Sequence, residues 1–98
     1  MYQVLYLDEV ENDMTIAKQW YAEKQNGLDI RFDAAIKEVL SIIIKMPSTY
    51  AVRYKNVRIA NTKKFPYNIH FYLDETLEQV VIIGIVHNRR EDALYLDR

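Results

Sequence analysis

Basic side chains are concentrated in one stretch near the middle of the chain. Within twelve residues there are five cations and no acid: Arg53, Lys55, Arg58, Lys63 and Lys64. Such a stripe could neutralise a phosphate backbone, which makes it a candidate target-binding or nucleic-acid-binding surface. A solvated strand face produces the same pattern, because surface charges need no ligand. The residues alone leave both interpretations open.

A second set of chemically capable residues lies near the C-terminus. Arg89 and Arg90 follow an apolar stretch, and Tyr95 lies six residues after Arg89. Two cations and a phenol could stabilise a phosphate transition state and supply a proton. The alternative is that the arginines pair on the surface with Glu91 and Asp92.

Other kinds of site find little support in the residues. The chain has no cysteine, and His70 and His87 are too few for a convincing metal site, so we expect no metal and no cofactor. His87 is predicted to be a structural hydrogen-bonding residue. Trp20 and Tyr21 are predicted to be packing residues. No phosphate loop or nucleophile elbow is present.

Length and composition predict one domain covering residues 1–98, because half of the chain is apolar. The net charge of −1 argues against non-specific adhesion to nucleic acid. The cations are nevertheless uneven: residues 1–52 carry five against eight acids, and residues 53–98 carry eight against six. We found no signal peptide and no apolar run long enough to cross a bilayer, and therefore expect a cytoplasmic protein.

The first half of the chain predicts a strand and two helices. Residues 2–7 are rich in β-formers, and Asp8 is predicted to cap the first helix. Gly27 is the expected left-handed residue between the helices, and Pro47 ends the second. The predicted buried face of the first helix comprises Val10, Met14, Ala17 and Tyr21, broadened by Ile16 and Trp20. That of the second comprises Phe32, Ala35, Ile36, Val39, Ile43 and Met46.

The second half has the two-residue period of strands, predicted at 57–62, 67–73 and 79–86, with a hairpin loop at 74–78. The middle strand is expected to have a polar face comprising Asn68, His70 and Tyr72. The last strand is apolar on both predicted faces, one with Val80, Ile82 and Val86 and the other with Val81, Ile83 and Ile85. The predicted fold class is therefore α+β in two layers: a strand, an antiparallel helical hairpin and a three-stranded antiparallel meander.

Three stretches of the chain resemble the RelE/ParE superfamily of bacterial type II toxins. The first contains Trp20 and Tyr21, followed by Gly27, Leu28 and Phe32. The second is residues 65–72, with the sequence FPYNIHFY, and the third is residues 86–92, with the sequence VHNRRED. The resemblance covers nearly the whole chain in the predicted order of elements.

This resemblance implies the toxin of a toxin–antitoxin (plasmid stabilisation) module, neutralised by a small antitoxin whose C-terminal segment wraps the toxin. ParE-like members block DNA gyrase without catalysis, whereas RelE-like members cut mRNA on the ribosome. Arg89 and Tyr95 match the spacing of the RelE-like arginine and tyrosine, but Asn68 stands where RelE-like nucleases carry an arginine. We therefore expect a ParE-like gyrase inhibitor, with a RelE-like endoribonuclease or a degenerate antitoxin-binding decoy as alternatives.

Overall fold

The computed structural model describes residues 2–90, with Arg90 described by its backbone alone. Its elements follow the predicted α+β order of strand, helical hairpin and meander, which is thereby confirmed. They are β1 (Gln3–Tyr6), α1 (Asp8–Lys24), α2 (Leu28–Lys45), a 3-10 turn (Pro47–Thr49), β2 (Val52–Tyr54), β3 (Val57–Asn61), β4 (Tyr67–Asp74), β5 (Gln79–His87) and a second 3-10 turn (Asn88–Arg90).

All five strands form one sheet in the order β1-β5-β4-β3-β2. Strands β2 to β5 are antiparallel neighbours, whereas β1 runs parallel to β5 from Gln3 opposite Gln79 to Tyr6 opposite Ile82. The hairpin α1–α2 supplies the connection between β1 and the rest of the sheet, and α1 packs over β5. The sheet therefore has one face against the helices, here called the helix face, and a second face.

The passage from β1 into α1 differs from the prediction. Asp8 is the first helical residue, and Leu7 is the cap, with no side-chain hydrogen bond to the helix. The reason is that the Leu7 N–H still donates to the Ile82 carbonyl at 3.0 Å, which holds Leu7 in the extended conformation of the strand. Asp8 instead complements the positive end of the helix dipole.

The core lies between the helical hairpin and the helix face of the sheet. The predicted Val10, Ala17 and Tyr21 on α1 and Phe32, Ile36, Val39 and Ile43 on α2 are all buried. The expected broadening of the α1 stripe is wrong, because Ile16 and Trp20 are 58% and 51% exposed. Each residue turns the helix by about 100°, so Trp20 lies at the margin of the buried face, beside Tyr21, and half of its side chain is exposed.

The ends of α2 follow from two backbone-specific residues. Gly27 has the predicted left-handed conformation, with φ of 85°. Met46 was expected on the buried face but lies beyond the end of the helix and is 56% exposed. It has φ of −141°, and Pro47 after it cannot continue a helix.

A β-bulge changes which residues of β5 face the helices. Phe71 lies opposite Ile82 and His70 opposite Gly84, so Ile83 is an extra residue in β5. Beyond the bulge, the inward positions move by one residue. Ile85 therefore packs in the main core with Ile82, whereas the uninterrupted alternation predicted from the sequence had placed it on the opposite face.

Candidate functional site

The predicted basic stripe is divided between the two ends of β3. Arg53 and Lys55 are exposed before β3, and Lys63 and Lys64 are exposed after it. A strand of five residues spans about 16 Å, so the two pairs do not converge on one phosphate group. The structure thus separates residues that the sequence places close together.

Arg58, the central member of the stripe, has a structural role. Its guanidinium donates hydrogen bonds to the backbone carbonyls of Ser48 and Tyr50, in the segment that connects α2 to β2. The side chain is partly buried, in line with its register position opposite Phe71 on the helix face. Nη1 of Arg58 therefore binds the connection between α2 and β2.

Arg89 lies at the end of the sheet where β3 passes into β4, which is also the end that carries Lys63 and Lys64. The Asn88 N–H donates to the Pro66 carbonyl at 2.9 Å, which holds the residues after β5 against the loop 62–66. The Arg89 N–H donates to Nδ1 of His87 at 3.1 Å, so His87 has the predicted structural role. We call this exposed set, Lys63, Lys64 and Arg89, the loop-end cations.

Aromatic packing anchors the backbone next to the loop-end cations. Tyr21, Phe32, Phe65 and Tyr67 form a cluster whose ring centroids are 5.0–6.0 Å apart. His87 meets the Tyr67 ring at 5.2 Å, which ties the end of β5 to the same cluster. Burial raises the pKa of Tyr21, and the electrostatic influence of Tyr67 raises it to a smaller extent. The phenol of Tyr21 therefore stays protonated and serves as a packing group.

Trp20 lies beside this cluster and is more exposed than predicted. Its ring meets Tyr21 edge-on at a centroid distance of 5.1 Å, and Nζ of Lys24 lies 4.8 Å from the Trp20 centroid. Trp20 therefore contacts Tyr21 and Lys24 while half of its side chain stays exposed. Tyr95 and the side chain of Arg90 lie outside the described residues, so the predicted pairing of Arg89 with Tyr95 stays a prediction.

The predicted polar face of β4 is buried. Asn68 and His70 are 4% and 0% exposed on the second face of the sheet. The hydroxyl of Tyr54 lies 3.0 Å from Nδ1 of His70, at hydrogen-bonding distance, and links edge strand β2 to the centre of the sheet. Oδ1 of Asn68 accepts no hydrogen bond from the described residues. Asn68 is therefore not presented to a phosphate at the surface, and the expectation of a polar face at this position is wrong.

A groove between the two helices, which the sequence did not indicate, forms a concave surface among the described residues. Its volume is about 620 Å³, within the range of ligand-binding clefts. It is bounded by α1, α2 and the end of β1, with Ile85 of β5 also contributing. Its apolar lining includes Val10, Met14, Ile36 and Leu40. The charged residues around it are Asp8, Glu11, Lys18, Asp33 and Lys37.

One ion-pair network connects the two helices beside the groove. Asp33 of α2 lies 2.8 Å from Nζ of Lys37 and 3.5 Å from Nζ of Lys18 on α1. The hydrogen bond from Lys37 lowers the pKa of Asp33, against an opposing effect of burial, and the charge of Lys18 lowers it further. The same hydrogen bond raises the pKa of Lys37.

Within residues 2–90, no three or more His, Asp or Glu side chains are grouped so that they could hold a metal ion. Neither described helix is long and apolar enough to cross a membrane.

Comparison with known proteins identifies the fold through structure alone. No family model matches the sequence, and no curated protein matches it either. Among solved structures, a chain described as "Chromosomal ParDE TA system from P. aeruginosa" superposes with a TM-score of 0.73 at 15% identity. The alignment covers 89% of this chain and 96% of that one. The chain therefore has the fold of a component of a ParDE toxin–antitoxin system.

Proposed function

We propose that this chain is the toxin of a bacterial type II toxin–antitoxin module, and that it acts in the ParE-like way, by binding DNA gyrase without cleaving RNA. The shared fold supports the module, because the superposition extends over 89% of the chain. The motifs of residues 65–72 and 86–92 support the same family.

The observation that carries the choice of branch is the separation of the basic residues. Cleavage of RNA needs several cations around one phosphate, together with a proton donor. Here Lys63, Lys64 and Arg89 lie at one end of β3, but Arg53 and Lys55 lie at the opposite end, and Nη1 of Arg58 is engaged by backbone carbonyls. Fewer cations can therefore surround one phosphate than the basic stripe suggests. Asn68, at the position of the nuclease arginine, is buried. This arrangement favours a toxin that binds its target over one that cleaves it.

In this proposal, the antitoxin binds the groove between α1 and α2. Grooves between helices commonly accept the apolar face of an amphipathic helix. The groove has an apolar lining, and the exposed loop-end cations remain outside it. The loop-end cations are then the surface offered to the target.

The experiment is a gyrase supercoiling assay alongside a ribosome-dependent mRNA cleavage assay. We expect inhibition of supercoiling and no codon-specific cuts. Reversing the loop-end cations (Lys63→Glu, Lys64→Glu, Arg89→Glu) should weaken gyrase binding by about tenfold or more, because like-charge contacts at an interface are strongly unfavourable. The matched control is Arg53→Glu with Lys55→Glu, at the other end of β3, which should bind as the wild type does.

Tyr95→Phe separates the two branches within the same assays. A gyrase inhibitor needs no phenolic proton, so this variant should keep its inhibition. Codon-specific mRNA cuts by the wild type that disappear in Tyr95→Phe would contradict the proposal and indicate a RelE-like nuclease.

A further inference from the structure

The charges around the groove are sorted along its length. Asp8 and Glu11, in the first turn of α1, mark one end. Lys18 and Lys37 mark the other, where Asp33 offsets one of the two positive charges. Counting these side chains gives −2 at the first end and +1 at the second. Neither Asp8 nor Glu11 forms an ion pair with another described residue, so both carboxylates are available to a ligand.

The two charged ends are spaced to suit a short helix. Glu11 and Lys18 are seven residues apart on α1, which corresponds to about 10 Å, or two helical turns. Met14, Ile36 and Leu40 line the groove with apolar surface. A bound helix of two to three turns would therefore cover apolar surface along its length and meet opposite charges at its two ends.

We propose that the groove selects its helical ligand by the order of charges along that helix. The ligand is an amphipathic helix with basic residues at the end over Asp8 and Glu11 and acidic residues at the end over Lys18 and Lys37. The apolar lining supplies contact with any amphipathic helix, whereas the sorted charges discriminate between partners. This inference rests on the proposed function in one respect, namely that the ligand is the C-terminal segment of the antitoxin.

Two designed peptides test the inference with the full chain. Each has about 11 residues, or roughly 16 Å as a helix of three turns. Both have the same composition, the same apolar positions at i, i+3, i+4 and i+7, and the same side-chain staple. One carries its lysines at one end and its glutamates at the other, and the second alternates them. Fluorescence anisotropy of the labelled peptides should give about tenfold tighter binding of the sorted peptide, because several exposed ion pairs each contribute modestly.

Neighbouring acids on α1 provide the matched variants. Glu11 lines the groove, whereas the exposed Glu9 does not. Glu11→Lys should abolish the preference for the sorted peptide, and Glu9→Lys should retain it. On α2, Lys37→Glu should weaken binding of the sorted peptide, whereas the exposed Lys45→Glu, which lies outside the groove, should not. Thermal melts check that every variant is folded.

The inference is overturned if neither peptide binds, if both bind equally, or if Glu9→Lys and Glu11→Lys have the same effect. Its failure is distinguishable from that of the proposed function, because peptide binding is measured without gyrase or growth. A sorted-peptide preference in a chain that leaves cells unharmed would keep the groove inference and reject the toxin. Growth arrest that an antitoxin relieves, without any preference for the sorted peptide, would keep the toxin and reject the groove inference.

Discussion

Individual residues of β4 show where a two-residue alternation misleads. The alternation predicts a solvent-exposed polar face formed by Asn68, His70 and Tyr72. Asn68 and His70 are instead among the most buried polar side chains described. Their burial depends on long-range contacts, such as Tyr54 reaching His70 from β2. The sequence predicts which residues share a face, but not whether other side chains cover that face.

The Tyr54–His70 contact predicts a loss of stability on removal of one hydroxyl. Tyr54→Phe keeps the ring and takes away the hydrogen-bonding group 3.0 Å from the buried imidazole. We expect the free energy of unfolding to fall by about 1–3 kcal/mol, the usual cost of depriving a buried polar group of a partner. Urea denaturation measures this change in the free energy of unfolding. Tyr6→Phe is the control, because Tyr6 is 52% exposed and should change little. Equal effects of the two variants would show that the contact contributes nothing.

At the scale of elements, the antiparallel helical hairpin and the three-stranded meander are predictable from periodicity and short connections, whereas the addition of β1 and β2 to the sheet is not. β2 was missed because three residues, Val52–Tyr54, are too short for a recognisable alternation. The parallel pairing of β1 with β5 joins residues more than seventy positions apart, which no local pattern records. No local pattern predicts the contact of Asp13 with β5 either. The Asp13 carboxylate accepts a hydrogen bond from the Ile85 N–H at 3.1 Å, beyond the end of the β1–β5 pairing.

The ion-pair network between α1 and α2 predicts a pH-dependent stability. The pKa of Asp33 is lowered in the folded state, so its contribution is present above the ordinary Asp pKa of about 3.9 and is lost as the pH falls through the lowered value. The raised pKa of Lys37 makes its contribution complete below about pH 10 and lost as the pH rises further.

Asp33→Asn should therefore be less stable than the wild type near neutral pH, by a small amount because the lysines are exposed. The difference should shrink as the pH is lowered from about 5 towards 2. Thermal melts across this range provide the measurement. Asp29→Asn is the control, because Asp29 forms no ion pair with the described residues. A difference that persists unchanged at acid pH would show that charge on Asp33 is not its cause.

At the scale of the whole molecule, the fold places two surfaces in different regions. The groove lies between the helices, and the loop-end cations lie where β3 turns into β4 and β5 ends. The basic residues of this second surface were predictable as residue types. The return of the end of β5 to the loop 62–66, which brings Arg89 to the same end of the sheet as Lys63 and Lys64, was not. The groove had no signal in the sequence beyond two amphipathic helices.

The central claim is that the chain is a toxin neutralised by an antitoxin that binds the groove. The growth of bacteria that produce the chain tests this claim most directly. The chain is induced alone in bacteria, and then together with the product of the adjacent reading frame. The account predicts growth arrest in the first case and restored growth in the second. Unimpaired growth on induction of folded protein that still binds the neighbour's product would contradict it and identify an antitoxin-binding decoy.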